Sequence, residues 1–205
     1  MVFLKKLFAI GGVLLLTTTA FAQDEQLVQA FANSYTAEKN KEYKKAADFL
    51  RKVYVADSYE LNLRLGWLTY QAGQLSESVQ YYQKAVALKP YAVEPQLGLA
   101  YPLWAQGRWD ELAALYGKVL EIDPQNSFAN YRMGLLLYNK GQYNKATPYL
   151  ERVVNLYPFD YDGLLLLAWN NLKLQRLKEA RVLFGKVLLY NPGDASALEG
   201  LQLLK

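Results

Sequence analysis

A period of 34 residues runs through most of this 205-residue chain. It is marked by prolines at positions 90, 124, 158 and 192 and by glycines at positions 73, 107 and 141. A fixed period of this length is typical of an array in which one short helical unit stacks on the next. The period therefore predicts an all-α repeat fold, and folds of that kind usually serve as binding surfaces.

Each period predicts two helices joined by a tight turn. The glycines fall where the first helix must end, at a position that favours the left-handed backbone conformation. The prolines end the second helix, because proline cannot donate the next backbone hydrogen bond. Two residues after a proline, Asn126, Asp160 and Asp194 can cap the next helix, and only Ala92 breaks this column.

Alignment on the prolines predicts the units 59–92, 93–126, 127–160 and 161–194. A shorter, degenerate unit is expected at about 27–58. Residues 195–205 are expected to form a C-terminal capping helix with Leu198, Leu201 and Leu204 on its inner side.

Four columns of small or apolar residues predict the core, because they recur at the same place in every unit. The first helix contributes Leu65, Leu99, Met133 and Leu167, followed directly by Gly66, Ala100, Gly134 and Ala168. The second helix contributes Tyr82, Tyr116, Leu150 and Phe184, with Ala85, Val119, Val153 and Val187 three residues later. The small residues after the first column predict a close approach of the paired helices.

These columns resemble the tetratricopeptide repeat (TPR) family, whose unit of 34 residues has the same pattern. Leu65-Gly66, Gly73, Tyr82, Ala85 and Pro90 match it best. The resemblance implies a right-handed α-solenoid in which the first helix of each unit lines a concave face. It also implies that a protein or peptide ligand binds on that face.

The first helices carry an unusual number of aromatic residues on that face. The candidate groove residues are Phe31, Tyr35, Leu63, Trp67, Tyr70, Leu97, Tyr101, Trp104, Tyr131, Tyr138 and Trp169. A polar rim is expected from Glu60, Glu94, Asp162, Arg64, Arg132 and Lys173. Two interpretations stay open: the rings form an exposed partner site, or they fill space between neighbouring first helices. Trp109 lies outside these columns and is expected to pack internally.

Composition argues against an enzyme. The chain has no histidine and no cysteine, so thiol nucleophiles, histidine bases and ordinary zinc sites have no residues to form them. We find no phosphate-binding glycine loop and no pair of acids in a distinctive context, and we predict no catalytic, cofactor-binding or metal-binding residue. Lys and Arg number 23 against 19 Asp and Glu, with the signs interspersed, which does not predict nucleic-acid binding.

The N-terminus has the layout of a secretory signal peptide. Lys5 and Lys6 precede an apolar stretch that ends in Ala20-Phe21-Ala22. We expect cleavage after Ala22, a periplasmic or secreted protein, and no integral membrane segment after cleavage. The alternative is an uncleaved anchor, although the uncharged stretch is shorter than the ~20 residues that span a bilayer comfortably.

The sequence thus predicts an exported scaffold that binds a polypeptide segment in the aromatic groove, within a cell-envelope assembly. The alternative is a glycan-binding module, because planar rings on a curved surface can also stack on sugars. Leu63, Leu97, Leu135 and Leu165 beside the rings favour a peptide, since apolar anchors suit side chains better than hydroxyl-rich ligands. The sequence does not determine the oligomeric state.

Overall fold

The structure is a computed structural model that describes residues 25–204. The predicted signal peptide, Met1–Ala22, lies outside the described residues.

Every regular element in the described range is an α-helix, which confirms the predicted fold class. The helices are α1 (25–39), α2 (Tyr43–Arg51), α3 (Tyr59–Gln71), α4 (Leu75–Leu88), α5 (Val93–Ala105), α6 (Trp109–Ile122), α7 (Ser127–Asn139), α8 (Tyr143–Leu156), α9 (Tyr161–Lys173), α10 (Leu177–Tyr190) and α11 (Ala195–Gln202). They fall into two units that divide after Pro90. Unit 1 contains α1 to α4, and unit 2 contains α5 to α11.

The turn between paired helices is the same in each repeat. Gly73, Gly107 and Gly141 have positive φ angles of 76°, 68° and 70°, as the sequence predicts. Lys41 and Gln175 adopt the same left-handed conformation, with φ angles of 61° and 59°. A side chain at this conformation costs free energy, so the tertiary contacts of the helix pair fix the turn even without glycine.

The predicted N-caps of the first helices are confirmed. The side chains of Asn126, Asp160 and Asp194 each accept a hydrogen bond from the backbone N–H of the residue three positions later in the chain. Ser58 caps α3 in the same way, whereas Ala92 provides no side-chain cap for α5. These bonds satisfy donors that the first turn of a helix leaves unpaired.

The four predicted core columns are buried. A Cβ atom at Gly66 would lie 2.8 Å from Cγ of Tyr82, and one at Gly134 would lie 2.7 Å from Cγ of Leu150. The small residue therefore lets the second helix approach its partner within van der Waals contact, as expected. This approach sets the spacing of each helix pair.

Helix α11 packs on α10 at the end of unit 2. Ala197 and Leu204 are buried in the same apolar cluster as Phe184, and Gly200 faces the Phe184 ring. The prediction that Leu198 lies on the inner side is wrong, because that side chain is 42% exposed. Asp194 caps the helix so that positions 197, 200 and 204 face α10, and this register turns Leu198 outward.

Candidate binding groove

All eleven predicted groove residues lie in first helices, and none is fully buried. Unit 1 holds Phe31, Tyr35, Leu63, Trp67 and Tyr70, and unit 2 holds Leu97, Tyr101, Trp104, Tyr131, Tyr138 and Trp169. Tyr35 and Tyr101 are the most exposed, at 49% and 42%. The other nine are partly buried. We call these two sets the first-helix faces of unit 1 and unit 2.

In unit 1, the aromatic rings form two neighbouring pairs. The Phe31 and Tyr35 centroids on α1 are 6.4 Å apart, and those of Trp67 and Tyr70 on α3 are 6.0 Å apart. Phe31 and Trp67 also pack against the buried core of this unit. These two residues therefore contribute to packing as well as to the surface.

A polar network joins α1 to α3 on the same face. The indole N–H of Trp67 donates to Oε1 of Glu38 at 2.6 Å, and Nη2 of Arg64 forms an ion pair with Oε2 of the same carboxylate. The Arg64 guanidinium also lies over the Tyr35 ring, 4.0 Å from its centroid. Burial alone would raise the pKa of Glu38, but the hydrogen bonds from Arg64 and Trp67 outweigh it and lower that pKa. Glu38 thus binds both Arg64 and Trp67, whereas the buried Nε of Arg64 has no hydrogen-bond partner within the described residues.

In unit 2, the corresponding surface is built by α5 and α7. The Tyr101 ring lies 6.5 Å from that of Phe128. The Arg132 guanidinium lies over three rings, with its Cζ atom 4.9 Å from the centroid of Trp104, 5.2 Å from that of Phe128 and 5.9 Å from that of Tyr131. Cation–π contacts of this kind hold the guanidinium beside the rings, and its N–H groups keep their capacity to donate hydrogen bonds.

Arg64 and Arg132 occupy the same repeat position, yet their surroundings differ. Arg64 is paired with Glu38, whereas Arg132 makes no salt bridge or hydrogen bond within residues 25–204. Both side chains are partly buried. The first-helix face of unit 2 therefore presents a positioned cation whose hydrogen-bonding capacity is unused.

The remaining aromatic residues of unit 2 pack more internally. Trp169 donates its indole N–H to Oγ of Ser196 at 2.9 Å, and its ring meets Phe184 edge-on at 5.2 Å. Tyr138 lies edge-on to Tyr143, with centroids 5.3 Å apart. Both residues pack against the core of the unit, so they suit a structural role better than Tyr101 does.

The prediction that Trp109 packs internally is wrong. Its side chain is 44% exposed, and its ring meets Trp104 edge-on with centroids 5.0 Å apart. Trp109 is the first residue of α6, directly after the turn at Gly107 and Arg108. The sharp turn folds the ring back against the end of α5, where only one side of it is covered.

A pocket of about 400 Å³ opens at one end of the unit 2 face. It is lined by Ser127, Phe128, Tyr131, Val153, Tyr157, Asp160 and Asp162. Tyr131 and Asp162 were predicted for the groove and its rim, but sequence reasoning missed Phe128, Tyr157 and the pocket-lining role of Asp160. Burial raises the pKa of Tyr131, and the nearby Asp162 adds to that effect.

The polar rim is less uniform than expected. Glu60 forms an ion pair with Lys89, 3.8 Å away, just beyond the end of α4. Lys173 is exposed at the end of α9. Within the described residues, no group of three or more acidic side chains is placed to hold a metal ion. No helix in that range is both long and apolar enough to cross a bilayer.

Profiles described as tetratricopeptide repeats match residues 63–127, 115–147 and 137–203 of this chain. The chain belongs to the tetratricopeptide repeat family. The first helices of its repeats begin 34 residues apart, at Tyr59, Val93, Ser127 and Tyr161.

Two solved TPR structures share the fold. YrrB, described as a TPR protein with an unusual peptide-binding site, superposes with a TM-score of 0.73 at 14% identity, covering 90% of this chain and 97% of YrrB. A structure of MamA, from residue 41 to the end, from Desulfovibrio magneticus RS-1 gives a TM-score of 0.66 at 23% identity. It covers 71% of this chain and 82% of the MamA chain. At these identities the similarity establishes the TPR fold and leaves the ligand open.

A curated relative shares the repeats as part of a much longer protein. The human protein O-mannosyl-transferase TMTC1 is 28% identical over 165 residues, which cover 77% of this chain. This chain spans only 19% of the length of that relative. The match therefore concerns repeats, which serve as interaction scaffolds across this family and are generally not catalytic.

Proposed function

We propose that this TPR protein is an exported scaffold that binds a polypeptide segment on the first-helix face of unit 2, within an assembly of the cell envelope. The TPR fold supports a protein-interaction role, and the sequence of Met1–Ala22 supports export. The choice of surface rests on the Arg132 guanidinium, which lies over the rings of Trp104, Phe128 and Tyr131 without a polar partner in the described chain.

Unit 1 is the weaker candidate. Glu38 of the same unit already forms an ion pair with Arg64 and accepts a hydrogen bond from the indole N–H of Trp67. A ligand there would have to break charge-assisted hydrogen bonds before forming new ones, which costs free energy. On the unit 2 face, a backbone carbonyl or carboxylate of a peptide could accept from Arg132 without that cost.

Tyr101 supplies the apolar contact of the proposed site. Tyr101 is 42% exposed, and its ring lies beside that of Phe128, on the same face as Arg132. An aromatic ring next to a positioned arginine is the composition that dominates binding energy at protein interfaces. The site would therefore anchor a peptide through one apolar side chain and one backbone or side-chain acceptor.

The test begins with peptides selected from a random library on the chain from Gln23 onward. A selected peptide is then titrated against the wild type and two tyrosine variants in unit 2. Tyr101→Ala should weaken binding by roughly tenfold or more, because it removes an aromatic anchor. Tyr91→Ala is the matched control, since Tyr91 is 85% exposed but lies outside the first-helix face.

Circular dichroism melting of both variants separates loss of binding from loss of folding. Equal affinities of the two variants for every selected peptide would overturn the proposed surface. Envelope oligosaccharides are titrated in parallel. Binding of an oligosaccharide that depends on Tyr101, with no peptide binding, would establish the glycan alternative instead.

A further inference from the structure

The pocket in unit 2 lies where two repeats differ in sequence. One repeat later, the hydroxyl of Tyr161 donates to Oδ2 of Asp194 at 2.6 Å. Ser127 holds the repeat position of Tyr161, and Asp160 holds that of Asp194. Serine is too short to reach the aspartate in the same way, and both Ser127 and Asp160 line the pocket.

The same substitution leaves a carboxylate oxygen unused. Oδ1 of Asp160 caps α9 by accepting from the Gly163 backbone N–H at 2.7 Å. Oδ2 of Asp160 accepts no hydrogen bond from the described residues, although its counterpart on Asp194 bonds to Tyr161. Asp162 lines the same pocket and has no lysine or arginine partner within residues 25–204.

The walls of the pocket therefore combine the carboxylate of Asp162 and the free Oδ2 of Asp160 with the rings of Phe128, Tyr131 and Tyr157. This composition suits a long cationic side chain, whose aliphatic part packs on rings while its charged end reaches the carboxylates. Arg132 already lies over Phe128 and Tyr131, which shows that these rings accept a cation. Because Arg132 occupies those ring faces, the aspartates must supply most of the attraction for a second cation.

We propose that this pocket binds a lysine or arginine side chain of the polypeptide partner. The proposal deepens the proposed function and rests on it, because Tyr131 belongs both to the pocket and to the first-helix face. The partner would place a basic residue in the pocket beside the residue that contacts Tyr101. The two carboxylates would repel an acidic side chain at that position, and a neutral side chain would lack the ionic attraction.

The test uses side-chain probes, so it does not require the natural partner. Nα-acetyl-lysine methylamide and its arginine analogue are titrated into ¹⁵N-labelled protein, with Nα-acetyl-norleucine methylamide as the uncharged probe. We expect chemical-shift changes at the amides of 127, 131, 160 and 162 with the basic probes. The norleucine probe should bind at least about tenfold more weakly, because it lacks the charge.

Two variants address the pocket and one provides a control. Ser127→Tyr should rebuild the tyrosine–aspartate bond seen at Tyr161, fill the pocket and abolish binding of the basic probes. Asp162→Asn keeps the shape and should weaken binding by about tenfold. Glu179→Gln removes one negative charge from an exposed position on α10, outside the pocket. It should leave binding of the basic probes within about twofold of the wild type.

The outcomes separate this proposal from the proposed function. Absence of shifts at the four amides, or equal binding of lysine and norleucine probes, would overturn the cation pocket. In that case a selected peptide could still bind through Tyr101. If the probes bind as expected but no peptide depends on Tyr101, the pocket stands and the proposed peptide surface fails.

Discussion

The indole nitrogen of Trp67 lies 2.6 Å from Oε1 of Glu38, so a tryptophan predicted as a partner anchor is hydrogen-bonded to the neighbouring first helix. We expect Trp67→Phe to lower the free energy of unfolding by about 1–3 kcal/mol, because the variant loses that bond and leaves part of the carboxylate unpaired. Chemical denaturation measures the effect. The affinity of peptides that depend on Tyr101 should not change, and a loss of affinity with unchanged stability would contradict a structural role for Trp67.

A second prediction concerns the pH dependence of stability through Glu38. Its pKa is lower in the folded protein than in the unfolded chain, so the ionised carboxylate stabilises the fold above the unfolded pKa. That contribution should disappear as the pH falls through the folded pKa. The stability difference between the wild type and Glu38→Gln should therefore be largest near neutral pH and shrink in acid.

Denaturant titrations between neutral and acidic pH measure this difference. Glu151→Gln, at an exposed carboxylate on α8, serves as the control for the general effect of removing one negative charge. A Glu38→Gln difference that grows in acid would contradict the network of Glu38, Arg64 and Trp67.

A third prediction compares two helical glycines. At Gly134 a Cβ atom would lie 2.7 Å from Cγ of Leu150, whereas a Cβ atom at Gly117 would meet nothing within 4 Å beyond its chain neighbours and its own helix backbone. Gly134→Ala should destabilise the protein by about 1–3 kcal/mol through overpacking. Gly117→Ala should stabilise it by up to about 1 kcal/mol, because alanine restricts the unfolded chain and favours the helix. Thermal melts that move in the same direction would show that the helix pair is not packed as described.

A fourth prediction concerns export. The basic start, the apolar stretch and Ala20-Phe21-Ala22 predict that the mature chain begins at Gln23. N-terminal sequencing of the protein recovered from its native cells tests this. A chain that retains Met1 in the membrane fraction would instead support the uncleaved anchor.

Much of the fold could be predicted because its signals are local and repeated. The left-handed turns at Gly73, Gly107 and Gly141 depend on a residue type at a fixed place in each unit. The N-caps at Asn126, Asp160 and Asp194 each depend on a side chain and a backbone N–H three residues apart. The errors at Trp109 and Leu198 arose where a helix begins, since a small difference in register there changes which side of the helix faces the core.

The sequence by itself determined the TPR period, the helix pairs and the buried columns, because residues one period apart occupy equivalent environments. Only the tertiary structure decided which of the equivalent side chains have partners. Arg64 and Arg132 hold the same repeat position, but Glu38 on α1 pairs with Arg64, and no carboxylate in the described chain pairs with Arg132. Ser127 and Tyr161 likewise hold one position, yet Ser127 lines a pocket and Tyr161 donates a hydrogen bond to Asp194. Such differences depend on side-chain length and on distances between helices, which the periodicity does not encode.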